Sequence, residues 1–245
     1  MDLTIMYRDE RFIAINKPAG LLVHRSSIDA SETEFAVQQL RDQIDQRVYP
    51  LHRLDKPTSG LLLFAFDREA ASRLSEQFSN HTIKKSYLAI VRGYSPDQVH
   101  IDHPVKAQLD KHIKTNGQQG ITDVYALAKC ELDIANDRYD KSRYSLVELR
   151  PQTGRRHQLR YHMKHISHPI IGDTRYCRKV HNDIFKTHFQ CHRLLLASIG
   201  LSFTHPFTHE KVDINCLPSD DFMAVATHLA WEEIIQYKIS RSLWV

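Results

Sequence analysis

His52-Arg53-Leu54-Asp55-Lys56-Pro57-Thr58-Ser59-Gly60 sets one carboxylate among three basic side chains, and Leu61 to Phe66 then form an unbroken apolar run. A carboxylate flanked by cations is held ionised near neutral pH, the state that a covalent nucleophile or a general base requires. Pro57 to Gly60 read as a turn, and residues 60–66 as a buried strand that gives the loop rigid backing. An isolated Arg-x-Asp is more often a plain surface ion pair. The meaning of Asp55 therefore depends on the chain around it.

On the N-terminal side, apolar and β-branched residues predict strands at 3–7 and 11–16, broken by Asn16-Lys17-Pro18-Ala19-Gly20. Ser31-x-x-Glu34 has the form of a capping box, and Val37, Leu40 and Ile44 follow at helical spacing, which predicts a helix over 32–47. A second helix is predicted over 67–80, capped by Asp67, with Ala71, Leu74 and Phe78 on one face. Further strands are expected at 86–92, 124–134, 144–149 and 194–204, and the polar stretch 95–122 reads as a loop or hairpin excursion. A last helix over 219–237 carries Phe222, Val225 and Leu229 on its buried stripe. Strands and helices in this mixed order point to an α+β fold.

The chain has 245 residues, 42% of them hydrophobic, enough to bury a substantial core in one large domain or two small ones. Lys and Arg outnumber Asp and Glu by 33 to 29, a mild bias toward polyanionic partners. Cys130, Cys177, Cys191 and Cys216 form no C-x-x-C pair, so reduced thiols are the simpler expectation. The N-terminus is charged within ten residues, and no window approaches a membrane span. A cytoplasmic protein with no membrane association is the expectation.

Three further strings accompany the Asp55 loop. They are Asn16-Lys17-Pro18-Ala19-Gly20 with Val23-His24, Lys85-Ser86-Tyr87-Leu88-Ala89-Ile90-Val91-Arg92-Gly93, and Thr153-Gly154-Arg155-Arg156-His157-Gln158-Leu159-Arg160-Tyr161-His162 continued by Pro169-Ile170-Ile171-Gly172-Asp173. Together with residues 52–60 they resemble, in order, the motifs of the RluA family of pseudouridine synthases. One departure lies at Leu196-Ala197-Ser198, where relatives usually carry L-H-A.

The resemblance implies a single catalytic domain over residues 1–245, with a mixed, largely antiparallel β-sheet flanked by helices. The motifs begin by about residue 11, so no N-terminal S4 RNA-binding domain is expected. It also implies isomerisation of uridine to pseudouridine without any cofactor. Asp55 would be the nucleophile, attacking either the sugar C1′ or the base C6. The target nucleotide must leave its stack to be reached. Tyr87 would then stack near the uracil, Arg53 fill the place of the flipped base, Arg155 pair with and orient the catalytic carboxylate, and Leu159 pack against the base. His52 and Arg160 complete the candidate RNA-contacting set. Within the family the match is to members acting on uridine 65 of transfer RNA, with large-subunit ribosomal RNA as the alternative substrate; no obligate protein partner is implied.

Other readings attach to the same residues. Arg155, Arg156 and Arg160 suit either a solvated helix face or a phosphate-binding edge at a helix N-terminus. His157, His162, His165 and His168 invite a metal, but no H-E-x-x-H or Cys partner completes a ligand set, so no metal is expected. A non-catalytic RNA-binding module would satisfy the charge. It would have no use for a carboxylate inside a basic loop, where it repels phosphate.

Overall fold

The computed structural model describes residues 2–24, 33–106 and 117–241. In chain order the elements are β1 (Thr4–Arg8), β2 (Phe12–Lys17), α1 (Ala36–Ile44), β3 (Tyr49–Pro50), β4 (Ser59–Ala65), α2 (Arg68–Ser79), β5 (Lys84–Arg92) and β6 (Gln98–Asp102). There follow β7 (Ile121–Leu132), β8 (Ser142–Pro151), α3 (Gln158–His165), α4 (Lys179–Phe189), β9 (Leu196–Thr204), β10 (Lys211–Asn215), α5 (Asp220–His228) and α6 (Glu232–Ser240). The chain divides into two compact units, one of residues 1–85, 197–219 and 239–245, the other of residues 86–196 and 220–238.

The first unit is organised on β4, whose seven residues are all buried. That is why its sequence is a continuous apolar run without alternation. β2 lies antiparallel to it, from Phe12 opposite Ala65 to Lys17 opposite Gly60, and β1 pairs antiparallel with β2. On the other side of β4, β9 runs parallel, with Ser59 opposite Ala197 and Gly60 opposite Ser198, and β10 returns antiparallel along β9. Phe12, Leu61, Leu63, Leu201, Phe203 and Ile214 build the core under α2, which contributes Ala70 and Leu74. Asp67 caps α2, its carboxylate accepting from the Ala70 N–H at 2.8 Å.

In the second unit β5, β8, β7 and β6 pair antiparallel in that order. β8 fills the centre: Tyr87 of β5 stands opposite Leu149, and Arg92 opposite Tyr144. Glu148 of β8 is buried, and its charge is met by Arg150 at 2.9 Å, Lys238 at 2.9 Å and the Ser86 hydroxyl at 2.8 Å. The described residues thus form an α+β fold with largely antiparallel strands and a parallel β4–β9 pair, as the resemblance implied. Among the described residues no helix is long and apolar enough to cross a membrane. All four cysteines carry free thiols.

Two expectations are corrected. The single helix over 219–237 is two helices, because the chain reverses at Ala230, which takes φ 57° while the Trp231 N–H donates to the Ala226 carbonyl at 2.8 Å. This is a Schellman-type stop occupied by alanine where glycine is usual. The excursion at 95–122 takes the hairpin form of the two expected, with β6 antiparallel to β7, while residues 107–116 lie outside the described set. The helix over 32–47 is shorter, Ala36–Ile44, with Phe35 at its N-cap and no side-chain cap bond; Ser31 of the expected capping box lies outside the described residues.

Candidate active site

Asp55 sits in the loop that enters β4. The Thr58 N–H donates to the Asp55 carbonyl at 2.9 Å, which places the turn at residues 55–58. Ser59, expected in that turn, is already strand, and so is Gly60, expected where turn and strand meet. Leu54 is buried beneath the loop, the Asp55 side chain is half-buried, and Arg53 is exposed.

The loop is tied to the preceding motif by Lys17, a side chain with no exposed surface. Its ammonium donates to the carbonyls of Pro18 and Leu21 at 2.8 Å each and of Lys56 at 3.3 Å, and the Lys56 carbonyl also accepts the Gly20 N–H at 2.8 Å. A buried cation spanning carbonyls of two loops fixes the backbone beside Asp55 in one place. Lys17→Met keeps the bulk and removes the donors, so it is expected to lower unfolding stability by roughly 3 kcal/mol, read as a reduced urea midpoint at unchanged slope.

His52 takes a different place from the RNA contact expected of it. Its ring stacks on Phe78 at 5.2 Å, and Nε2 accepts the Leu63 N–H at 3.1 Å. Burial, then the Lys85 ammonium, pushes its pKa down to about 3. His52 is therefore a neutral strut between the loop and β4. Lys85 is itself pushed down to about 8 by burial. Because His52 stays neutral when folded, the stability it contributes is complete above its ordinary pKa of 6.5 and is lost as pH falls from there toward 3. His181, lowered by burial to about 4, acts in the same direction. The urea midpoint is expected to drop as pH falls from 6.5 to 4, and His52→Gln, which retains an acceptor for the Leu63 N–H, to make that drop shallower.

On the second unit, Tyr87 and Leu159 are each 8% exposed, on β5 and α3. Arg155 precedes α3. Its Nε donates to the Gln119 carbonyl at 3.2 Å, and its backbone N–H to Gln158 Oε1 at 3.0 Å. Gln158, not singled out from the sequence, organises the turn: its oxygen also accepts from the Thr153 hydroxyl at 2.7 Å, and its nitrogen donates to the Ile121 carbonyl and the Thr122 hydroxyl, both at 3.0 Å. A buried amide with this many partners is visible only once the strands are placed.

Arg160 is placed inward. It forms a two-pronged ion pair with Asp173 at 2.7 and 2.9 Å, with both side chains buried. Asp173 also accepts the backbone N–H groups of Arg175 and Tyr176 at 2.9 and 3.1 Å. Arg160 thus holds the Pro169–Asp173 segment against α3, and of the two readings for these arginines it takes neither the solvated face nor the phosphate edge. The histidines are engaged separately: His162 with the Thr122 hydroxyl and the His103 carbonyl, both at 3.0 Å, His168 with the Arg92 carbonyl at 2.8 Å, and His165 stacked on His103.

Residues 11–165 match the family model described as RNA pseudouridylate synthase. The chain belongs to the RNA pseudouridylate synthase family. It is 49% identical to a protein of Haemophilus ducreyi named tRNA pseudouridine synthase C, over 94% of this chain and 97% of that one. A protein of the same name from Haemophilus influenzae is 47% identical over 95% of this chain and 100% of the other. Among solved structures, human RNA pseudouridylate synthase domain containing 1 superposes with a TM-score of 0.67 at 26% identity, covering 89% of this chain and 84% of that chain. Family membership gives the RluA-type strings at Lys17, Asp55, Tyr87 and Arg155 a common origin, which spacing alone left open.

Proposed function

We propose that the chain isomerises uridine to pseudouridine in RNA, and that its target is uridine 65 of transfer RNA. The observation that carries this reading is the 49% identity, over nearly the full length of both chains, to a protein named tRNA pseudouridine synthase C. The chemistry needs no redox partner: the N1–C1′ bond breaks, a C5–C1′ bond forms, N1 gains a proton, and the proton of C5 leaves to solvent. Asp55 serves as the nucleophile toward the nucleotide, on a loop held by Lys17, Leu54 and β4. Tyr87 and Leu159 are assigned to the extruded base, Arg53 to the position it vacates, and Arg155 to the reacting carboxylate. The chain acts in the cytoplasm as a single catalytic domain.

Pseudouridine mapping on total RNA from cells lacking the gene, complemented with wild type or with Asp55→Ala, tests the substrate. The expected result is loss at transfer RNA position 65, restored by wild type alone. Loss at a site in ribosomal RNA would keep the chemistry and overturn the target, and no loss anywhere would favour a binding module.

A further inference from the structure

The second unit carries a cavity of about 630 Å³ that the proposed chemistry does not use. It lies at the end of β5 away from Tyr87. Arg92 in its wall is five residues further along the strand, roughly 17 Å at about 3.3 Å per residue. Five cations line it, Arg92, Arg138, Lys141, Arg143 and Arg178, against the carboxylates of Glu131 and Asp140. Glu131 is engaged by Arg143 at 2.8 Å and Lys141 at 3.5 Å, and Arg178 pairs with Asp137. Arg138 has no ion-pair partner among the described residues. His181, kept neutral by burial and by Arg92 and Arg178, adds no charge. An excess of positive charge remains.

Two aromatic rings accompany that charge. Tyr94 is 43% exposed beneath the Arg143 guanidinium, 5.1 Å from its centroid, and Tyr139 is 70% exposed. Tyr139 and Arg138 stand on the loop between β7 and β8, which Asn136 locks. Its side chain donates to the Lys141 carbonyl and the Ser142 hydroxyl, both at 3.1 Å, and accepts the N–H groups of Arg138 at 3.0 Å and Tyr139 at 3.2 Å. A loop held in one shape while keeping an arginine and a tyrosine in water contributes little to the core. It has the character of a prearranged contact for a ligand with both phosphates and flat rings.

We infer that this cavity is a second RNA-binding site, which holds the backbone and one unstacked base of the substrate away from the reacting nucleotide. The inference rests on the reading of the substrate as a structured RNA. A contact of this kind adds affinity and leaves the chemical step alone.

The test compares wild type with Arg138→Ala/Tyr139→Ala, two exposed side chains outside the reaction machinery. Binding to an unmodified transfer RNA transcript is measured by filter retention across a potassium chloride series, beside the pseudouridine-forming rate at saturating enzyme. The dissociation constant is expected to rise about tenfold, the salt slope to shrink by about one, and the saturating rate and Tm to stay unchanged. A short stem-loop confined to the target helix should bind both proteins equally. Equal dissociation constants and salt slopes on the full transcript would overturn the inference, as would a cavity that serves a protein ligand, which leaves RNA binding untouched. Failure of the wild type to form pseudouridine in the transcript would sink the substrate reading, while the binding comparison would still decide the cavity.

Discussion

Asp55→Asn is expected to lower pseudouridine formation by at least about 10³-fold while leaving RNA affinity and Tm close to wild type. The amide fills the same volume and still accepts hydrogen bonds, but it cannot act as an anionic nucleophile. The backbone around it is fixed independently of its side chain, by the Thr58 N–H on the Asp55 carbonyl and by Lys17 and Gly20 on the Lys56 carbonyl. Single-turnover rates on a transcript, with filter binding and thermal melts on the same preparations, separate loss of chemistry from loss of binding or fold. Comparable loss of affinity would make Asp55 a binding residue. Retention of a tenth of the rate would remove it from the chemistry.

Gly60→Ala is expected to be the most damaging conservative change in the first unit. Gly60 takes φ 106°, and a Cβ there would lie 2.0 Å from the Ser198 carbonyl oxygen. The obstruction is backbone on β9, in register with Gly60, so it cannot swing aside as a side chain would. Strain at this φ and separation of the β4–β9 pair together are expected to cost more than about 3 kcal/mol. The readout is a large drop in Tm and in soluble yield. A Tm within two or three degrees of wild type would mean that β9 can retreat from β4, contrary to the tight pairing described above.

Gly60 also illustrates what the sequence made legible. The nine-residue string containing it was readable as a reactive loop followed by a buried strand, because one carboxylate among cations and an unbroken apolar run are local features. Its glycine was read only as the junction of turn and strand, since the reason for it, the approach of β9, comes from a segment more than a hundred residues away. β2, β4 and α2 were recoverable for similar local reasons: β-branched content, continuous hydrophobicity, and Asp67 at a helix start. The break between α5 and α6 was hidden because alanine, not glycine, occupies the left-handed position. Lys17 and Gln158 gave no sign of their roles, since a lysine or a glutamine in a sequence looks solvated until packing shows that carbonyls or hydroxyls surround it. Arg160 could be read outward in two ways, and Asp173, thirteen residues away, resolves it inward. The family strings were the strongest signal of function, because their order along the chain is far less accidental than any one of them.

The most direct measurement uses the purified chain and a transfer RNA transcript tritiated at C5 of its uridines. Formation of the C5–C1′ bond expels that tritium to water. The account predicts release of one equivalent per transcript by wild type, none when uridine 65 is replaced by cytidine, and none by Asp55→Asn. Release that persists without uridine 65, or that proceeds at the wild-type rate in Asp55→Asn, would contradict it.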